Sequence, residues 1–175
     1  MTLLVHADRS YLGTPDTADT VSIGTNKCTI LIPTHTTGDH LGLFSLSLAP
    51  HGPYATPHFH KNMTELFIVA SGEVQLTRGN TSVTAGPGTA LYVPPGTPHG
   101  FANVSDAPAE LMIAFTPGAH RERFFLGLAD LFNQSSPPTE EELRKFAEQH
   151  DQYTYHPDTA DTVRPPIAKD RPSWD

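Results

Sequence analysis

Hydrophobic residues along the chain fall into short runs that are separated by clusters of turn residues. Between Lys27 and Thr116 the runs are rich in β-branched, aromatic and leucine residues, and this spacing predicts an all-β barrel or sandwich. Gly79 and Asn80 predict a tight hairpin, because both tolerate positive φ values. Eight strands in this order favour an antiparallel double-sheet barrel. The predicted strands are residues 28–32, 41–49, 65–70, 73–77, 82–85, 90–93, 99–104 and 110–115.

After Pro117 the hydrophobic positions follow a helical period instead. One predicted helical face is formed by Phe124, Phe125, Leu128, Leu131 and Phe132. Thr139 and Glu142 have the spacing of a capping box, which predicts the start of a second helix. We therefore expect four segments. They are an N-terminal arm at residues 1–26, a barrel at 27–116, a helical lid or cap at 117–152 and an extended C-terminal tail at 153–175.

The length and net charge of the chain argue against several classes of partner. The 175 residues suit one domain, and their net charge of −8, with scattered basic residues, argues against nucleic acid and membrane as partners. Cys28 is the single cysteine, so no internal disulfide is expected. Neither a signal peptide nor a membrane span is predicted, and a cytoplasmic protein is the default expectation. Long arms on a small barrel favour a homodimer.

One segment is repeated without an evident physical reason. The sequence PDTADTV occurs at residues 15–21 and again at 157–163. Copies so far apart are not a solenoid repeat. Two explanations of the repeat are open. The copies are a matched pair of arms that contact a partner subunit, or they are a coincidence between two segments rich in Asp and Thr.

Three of the ten histidines stand in two clusters that carry candidate chemistry. His58 and His60 are two residues apart, so on a strand their rings point to the same side and can hold one ion. Glu65 opens the next predicted strand and can add a carboxylate. Pro94 and Gly96 then predict a turn that delivers His99 at the start of a returning strand. The remaining histidines match no such pattern, and we expect no ligand role for His6, His35, His40, His51, His120, His150 and His156.

These two clusters resemble the paired signatures of the cupin superfamily. Residues 52–72 follow the pattern G(X)5HXH(X)4E(X)6G, and residues 88–103 follow G(X)5PXG(X)2H(X)3N, with every specified position present. The resemblance implies a cupin double-stranded β-helix, or jelly-roll, barrel followed by C-terminal helices. It also implies that one divalent metal ion is held by His58, His60, Glu65 and His99.

Three neutral imidazoles and one carboxylate leave positions open on a six-coordinate ion. This donor set suits Fe, Mn, Ni, Co, Cu or Zn, so the ligands do not identify the metal. Phe67 shares a strand face with Glu65, and Phe101 shares one with His99, which predicts an apolar pocket that includes both phenylalanines as substrate-binding residues. We therefore expect a small aromatic or polyketide-like substrate with chelating oxygens, and not a sugar phosphate.

The C-terminal region narrows the resemblance. Residues 118–125, Gly-Ala-His-Arg-Glu-Arg-Phe-Phe, are similar to the Arg/Phe-rich helix of small cupins such as the bacterial quercetin 2,3-dioxygenases. This likeness implies a metal-dependent dioxygenase that cleaves a flavonol-like ring with O2, with Glu65 as catalytic base. Two alternatives stay open. One is a non-redox polyketide cyclase, isomerase or lyase that uses the metal as a Lewis acid, and the other is a ligand-sensing module.

Overall fold

The computed structural model describes residues 10–156. Within that range the chain forms eleven strands, one short 3-10 helix and two α-helices. The strands are β1 (Thr20–Ile23), β2 (Asn26–Ile32), β3 (Gly42–Leu48), β4 (Ala55–Phe59), β5 (Thr64–Ser71), β6 (Val74–Arg78), β7 (Thr81–Ala85), β8 (Ala90–Val93), β9 (His99–Ala102), β10 (Ala109–Thr116) and β11 (Tyr153–Thr154). The 3-10 helix is Thr34–Thr37, and the α-helices are α1 (Arg121–Phe132) and α2 (Glu140–Gln149).

The strands form two antiparallel sheets that face each other as a double-stranded β-helix. One sheet has the order β1-β2-β3-β10-β5-β8, and the other has the order β11-β4-β9-β6-β7. Burial alternates along β3 and β10, as expected for strands with one face toward the core. Fully buried side chains on these strands and on β5 include Phe44, Leu48, Phe67, Leu111 and Ile113. The all-β prediction is therefore confirmed.

All eight predicted strands are present within a few residues of their expected bounds. The hairpin between β6 and β7 turns at Gly79 and Asn80, and Gly79 has the positive φ that this turn needs. Three further strands are present in the described part of the chain: β4, where the spacing of His58 and His60 already indicates a strand, and β1 and β11, in segments that we expected to be arms. β1 pairs with β2, and β11 pairs with β4.

Both predicted helices are also present. The side chain and backbone of Thr139 and Glu142 form the reciprocal hydrogen bonds of a capping box at the start of α2. Phe124 and Phe125 of α1 are buried, and the ring of Phe125 packs against Phe44 with 4.8 Å between centroids. The ring of Phe146 on α2 stacks on Phe124. The two helices thus pack on the barrel and on each other through these rings, and we refer to α1 and α2 together as the cap.

The repeated heptapeptide lies partly within the described residues. Its first copy, residues 15–21, forms a turn and then enters β1. Its second copy, residues 157–163, lies outside the described residues. None of the helices between residues 10 and 156 is long and apolar enough to cross a membrane.

Candidate metal centre

Four side chains from both sheets meet in the barrel interior. His58 on β4 and His99 on β9 are paired directly across the two strands. Glu65 lies on β5 in the opposite sheet, and His60 follows the last residue of β4. All four side chains are buried, and one ligand atom from each lies within 4.8 Å of the others. The residues that the two motifs single out therefore form one cluster.

Glycines in the motifs let the backbone bring these strands together. Gly96 has a φ of 75°, and its N–H donates to the carbonyl of His60 at 2.6 Å, which ties the turn before β9 to the end of β4. A Cβ atom on Gly100 would lie 2.6 Å from the carbonyl oxygen of Ala55. A larger residue at this position would push β9 away from β4, and His99 would move with it.

Backbone carbonyl groups select one tautomer for each of the three imidazoles. Nδ1 of His58 lies 2.8 Å from the carbonyl oxygen of Thr56, and Nδ1 of His99 lies 2.9 Å from that of Thr97. In His60, Nδ1 lies 2.6 Å from the carbonyl oxygen of Asp151. A carbonyl oxygen only accepts, so each Nδ1 must carry a proton and donate it. In the neutral rings Nε2 is then an unprotonated lone pair, which is the form that binds a metal.

The surroundings of the Glu65 carboxylate favour a cation at the centre of the cluster. Its Oε2 lies 3.0 Å from Nε2 of His60 and 2.6 Å from Nε2 of His99. Two lone pairs and a carboxylate oxygen at these distances repel one another unless a positive charge lies among them. A proton on each ring or a single metal ion can supply that charge. The donor set therefore suits a divalent ion of the group Fe, Mn, Co, Ni, Cu and Zn.

Burial and neighbouring charges act on the titration of the cluster. Burial lowers the pKa of His58 well below its ordinary value, and the nearby rings of His99 and His60 act in the same direction, against the carboxylate of Glu65. Burial raises the pKa of Glu65, but the Nε2 atoms of His60 and His99, when they carry a proton, donate hydrogen bonds that outweigh burial and hold the pKa below its usual range. Near neutral pH His58 is therefore a free base and Glu65 is ionised, as metal binding requires.

A pH dependence of stability follows from His58. In metal-free protein, the folded state keeps His58 neutral at pH values below 6.5 where the unfolded chain binds a proton there. The free energy of unfolding should therefore fall as the pH drops from 7 to 5.5, by up to about 1.4 kcal/mol per pH unit for one such group. Urea unfolding in the presence of a chelator measures this slope. His58→Gln should flatten it, whereas His40→Gln, which replaces an exposed histidine, should leave it unchanged.

A cavity of about 480 Å³ adjoins the cluster. His58 and Glu65 lie in its wall, so the cluster opens to the cavity through these two side chains. Phe101 also lines it, as predicted from the strand periodicity. Phe67 is fully buried and packs its ring against those of His99 and Phe101. Phe67 therefore does not line the cavity, and it supports the ring of His99 instead.

Arg121, at the first turn of α1, lines the cavity and was not predicted. It is 3% exposed, and its guanidinium lies 3.7 Å from the ring centroid of Phe124. One terminal nitrogen donates to the carbonyl of His150 and the other to the side chain of Gln152. Burial lowers the pKa of Arg121 to about 10, opposed chiefly by the charge of Glu65. Arg121 therefore stays charged at neutral pH.

The positive charge of the buried Arg121 side chain is only partly neutralised by its neighbours. Among the described residues, no carboxylate lies within ion-pair distance of Arg121, and its buried Nε–H has no acceptor. A divalent ion held by three neutral imidazoles and Glu65 would add to the same positive charge. The cavity therefore favours an occupant that carries negative charge.

Other motif residues have structural roles. The side-chain amide of Asn103 donates to the carbonyls of Leu48 and Ala107, and its oxygen accepts from Ser105, which holds the loop after β9. His51 forms an exposed pair with Asp106 at 2.9 Å. Within residues 10–156 no other histidine joins the metal-ligating cluster, and His6 lies outside the described residues.

Comparison with known proteins agrees with this architecture. Residues 44–115, which contain all four ligand candidates, match the Cupin domain family. An uncharacterized protein of Methanocaldococcus jannaschii is 25% identical over 77 residues. This stretch covers 43% of the present chain and 62% of that protein, which is less than two thirds of its length.

Several solved structures share the fold. KdgF from Halomonas sp. is 19% identical, with a TM-score of 0.54 over 61% of this chain and 94% of that chain. The polyketide cyclase RemF from Streptomyces resistomycificus is 22% identical, with a TM-score of 0.51 over 67% of this chain and 80% of its own. A predicted oxalate decarboxylase from Thermotoga maritima is 13% identical, with a TM-score of 0.54 over 61% and 98%. At these identities the likeness concerns the fold.

Proposed function

Since the family match and the barrel support membership of the cupin superfamily, we propose that this chain is a metal-dependent enzyme acting on an enolic or phenolic ring. The observation that carries the proposal is the convergence of three Nε2 lone pairs and one carboxylate at the wall of a cavity. A purely structural metal site usually has a closed ligand shell. Here the cluster faces a space large enough for a small molecule, as a catalytic centre requires.

Each residue of the site has a proposed task. A divalent ion bound there would make an enol or phenol hydroxyl more acidic and, if redox-active, would support chemistry with O2. Glu65 accepts the proton of the substrate hydroxyl, because its carboxylate is ionised and lies in the cavity wall. Arg121 contributes a fixed positive charge that favours the anion left behind. His58, His60 and His99 act as ligands.

The cavity wall sets the proposed substrate class. Leu46, Phe101, Ile113 and Phe115 supply apolar surface, and aromatic rings from both helices extend it. A flat and mostly hydrophobic molecule fits such a lining. The cation of Arg121 adds a preference for a group that ionises at the metal end. A flavonol, which combines a planar body with adjacent carbonyl and hydroxyl oxygens, has these properties.

We propose dioxygenase cleavage of such a ring as the reaction, and oxygen uptake tests it. Metal-loaded protein with quercetin is expected to consume one O2 for each molecule of substrate, and removal of the metal by a chelator should stop the uptake. An oxygen electrode and the substrate's absorbance measure the two quantities together. Protein with metal bound that leaves both quercetin and O2 unchanged would contradict this reaction.

The second candidate is a non-redox cyclase, isomerase or lyase. Arg121 favours it specifically, because a fixed cation beside Glu65 can stabilise an enolate without any oxidant. Turnover that continues at the same rate without oxygen would identify this reaction. Tight binding of the ligand with no turnover under either condition would instead identify a sensing module.

A further inference from the structure

A six-residue segment beyond the cap lies against β4, the strand that carries His58 and leads directly into His60. We name residues 150–155 the C-terminal strap. Its strand β11 pairs with β4, with Thr154 opposite His58 and Tyr153 opposite Phe59. The N–H of Tyr155 donates to the carbonyl of Pro57 at 2.9 Å. The strap thus extends the second sheet on the outer side of the ligand-bearing strand.

Asp151 connects the strap to the metal-ligating cluster. Its carbonyl oxygen lies 2.6 Å from Nδ1 of His60. Its carboxylate accepts hydrogen bonds from the backbone N–H groups of Lys61 and Asn62 at 3.1 and 2.8 Å, and from the Asn62 amide at 3.2 Å. Its φ of 57° lies in the left-handed region. The carboxylate therefore clamps the residues after His60 while the carbonyl fixes the ring.

The three imidazoles obtain their acceptors in two different ways. His58 and His99 each use the carbonyl of the residue two positions earlier on their own segment, Thr56 and Thr97. His60 uses a carbonyl 91 residues away in sequence. The barrel therefore fixes two of the three tautomers by itself, and the third depends on the strap.

Arg121 holds the strap in place on both sides of Asp151. One terminal nitrogen donates to the carbonyl of His150 at 3.0 Å, and the other donates to the side chain of Gln152. The residues on either side of Asp151 are thereby attached to the first turn of α1, His150 through its backbone carbonyl and Gln152 through its side chain. The position of the Asp151 carbonyl is set from the cap as well as from β4.

We propose that Asp151 is a positioning residue for His60, and that docking of the strap sets the affinity of the centre for its metal. The inference rests on the proposed function, because it assumes that His60 is a ligand. An acceptor on Nδ1 orients a ligating imidazole and makes its Nε2 a better donor. Without the strap, His60 would rotate and exchange tautomers, and the apparent affinity would fall accordingly.

The first test is a titration of metal-free protein with Co2+. Asp151→Gly keeps the left-handed backbone accessible and removes only the carboxylate, so the loop after His60 loses three hydrogen bonds. We expect the affinity to fall by roughly 10-fold to 100-fold, the range found for partners of metal-bound histidines. Asp151→Asn, which keeps one oxygen acceptor and tolerates the same φ, should restore most of the loss. Asp106→Ala removes the exposed partner of His51 and is the matched control, with no expected change.

The second test follows the His60 ring directly in the metal-free protein. Nitrogen-15 NMR of the imidazoles is expected to show a protonated Nδ1 in His58, His60 and His99 of the native chain. In Asp151→Gly only His60 should become a mixture of tautomers. Unchanged Co2+ affinity together with a single His60 tautomer in folded Asp151→Gly would overturn the inference. Failure of the native protein to bind Co2+ would reject the proposed function, while the NMR result would still decide the role of the strap.

Discussion

Replacing His99 with alanine is expected to lower the metal affinity by more than about 100-fold, which exceeds the typical loss on removing an outer partner. His99 is fully buried at the centre of the cluster, and its Nε2 is the nitrogen closest to the Glu65 carboxylate, at 2.6 Å. Its removal takes away one of four donors and leaves a hole beside the other three. Catalytic turnover should be lost together with the metal. Competition with a chromophoric chelator measures the affinity.

Controls separate the loss of a ligand from damage to the fold. His99→Gln keeps a polar side chain of similar length and should retain more stability than alanine, but it should not restore the affinity. His51→Ala removes an exposed histidine that pairs with Asp106 outside the cluster, and it should leave the affinity unchanged. If a folded His99→Ala protein bound Co2+ as tightly as the native chain, the proposed ligand set would be wrong.

The barrel and the ligand cluster could be predicted from local sequence signals. Alternation places every second residue on one face, so HXH spacing puts His58 and His60 on the same side of a strand. The turn built by Pro94 and Gly96 then brings His99 back beside them, which the pairing of His58 with His99 confirms. These relations depend on short stretches of chain.

The missed strands have weaker signals. β1 has the sequence TVSI, and β11 contains only Tyr153 and Thr154, so neither offers a hydrophobic run of useful length. Both strands lie at sheet edges, where pairing with a neighbour stabilises them more than their own burial does. Such pairing depends on the completed barrel and is not encoded in a local pattern.

Arg121 could not be predicted for a related reason. An arginine near the start of a helix usually lies in solvent, and nothing around Arg121 in the sequence indicates otherwise. Its burial depends on acceptors at His150 and Gln152 and on the ring of Phe115, all of which come from other elements. The contact between His60 and Asp151 could not be predicted either, because the two residues are 91 positions apart in the sequence. The likeness to quercetin 2,3-dioxygenases, the homodimer and the choice of metal stay predictions.

Replacing Glu65 with glutamine is expected to lower turnover by about 100-fold to 10,000-fold, the contribution typical of a positioned base. Glutamine has nearly the same shape, but its amide cannot accept the proton of a substrate hydroxyl. Turnover should be measured with each protein saturated with metal, so that weaker binding does not obscure the effect. Glu110→Gln is a matched control, because that carboxylate accepts hydrogen bonds from Ser45 and Ser47 of β3 and lies outside the cluster.

The same substitution should not lower the stability of the metal-free protein. When the rings of His60 and His99 are neutral and protonated at Nδ1, the Glu65 carboxylate faces two Nε2 lone pairs at 3.0 and 2.6 Å. A glutamine amide can donate to both nitrogens, so metal-free Glu65→Gln should be at least as stable as metal-free native protein above pH 7. A variant that is stable, metal-loaded and inactive would assign the chemistry to the carboxylate. Native turnover in metal-loaded Glu65→Gln would remove Glu65 as the base and leave it only as a ligand.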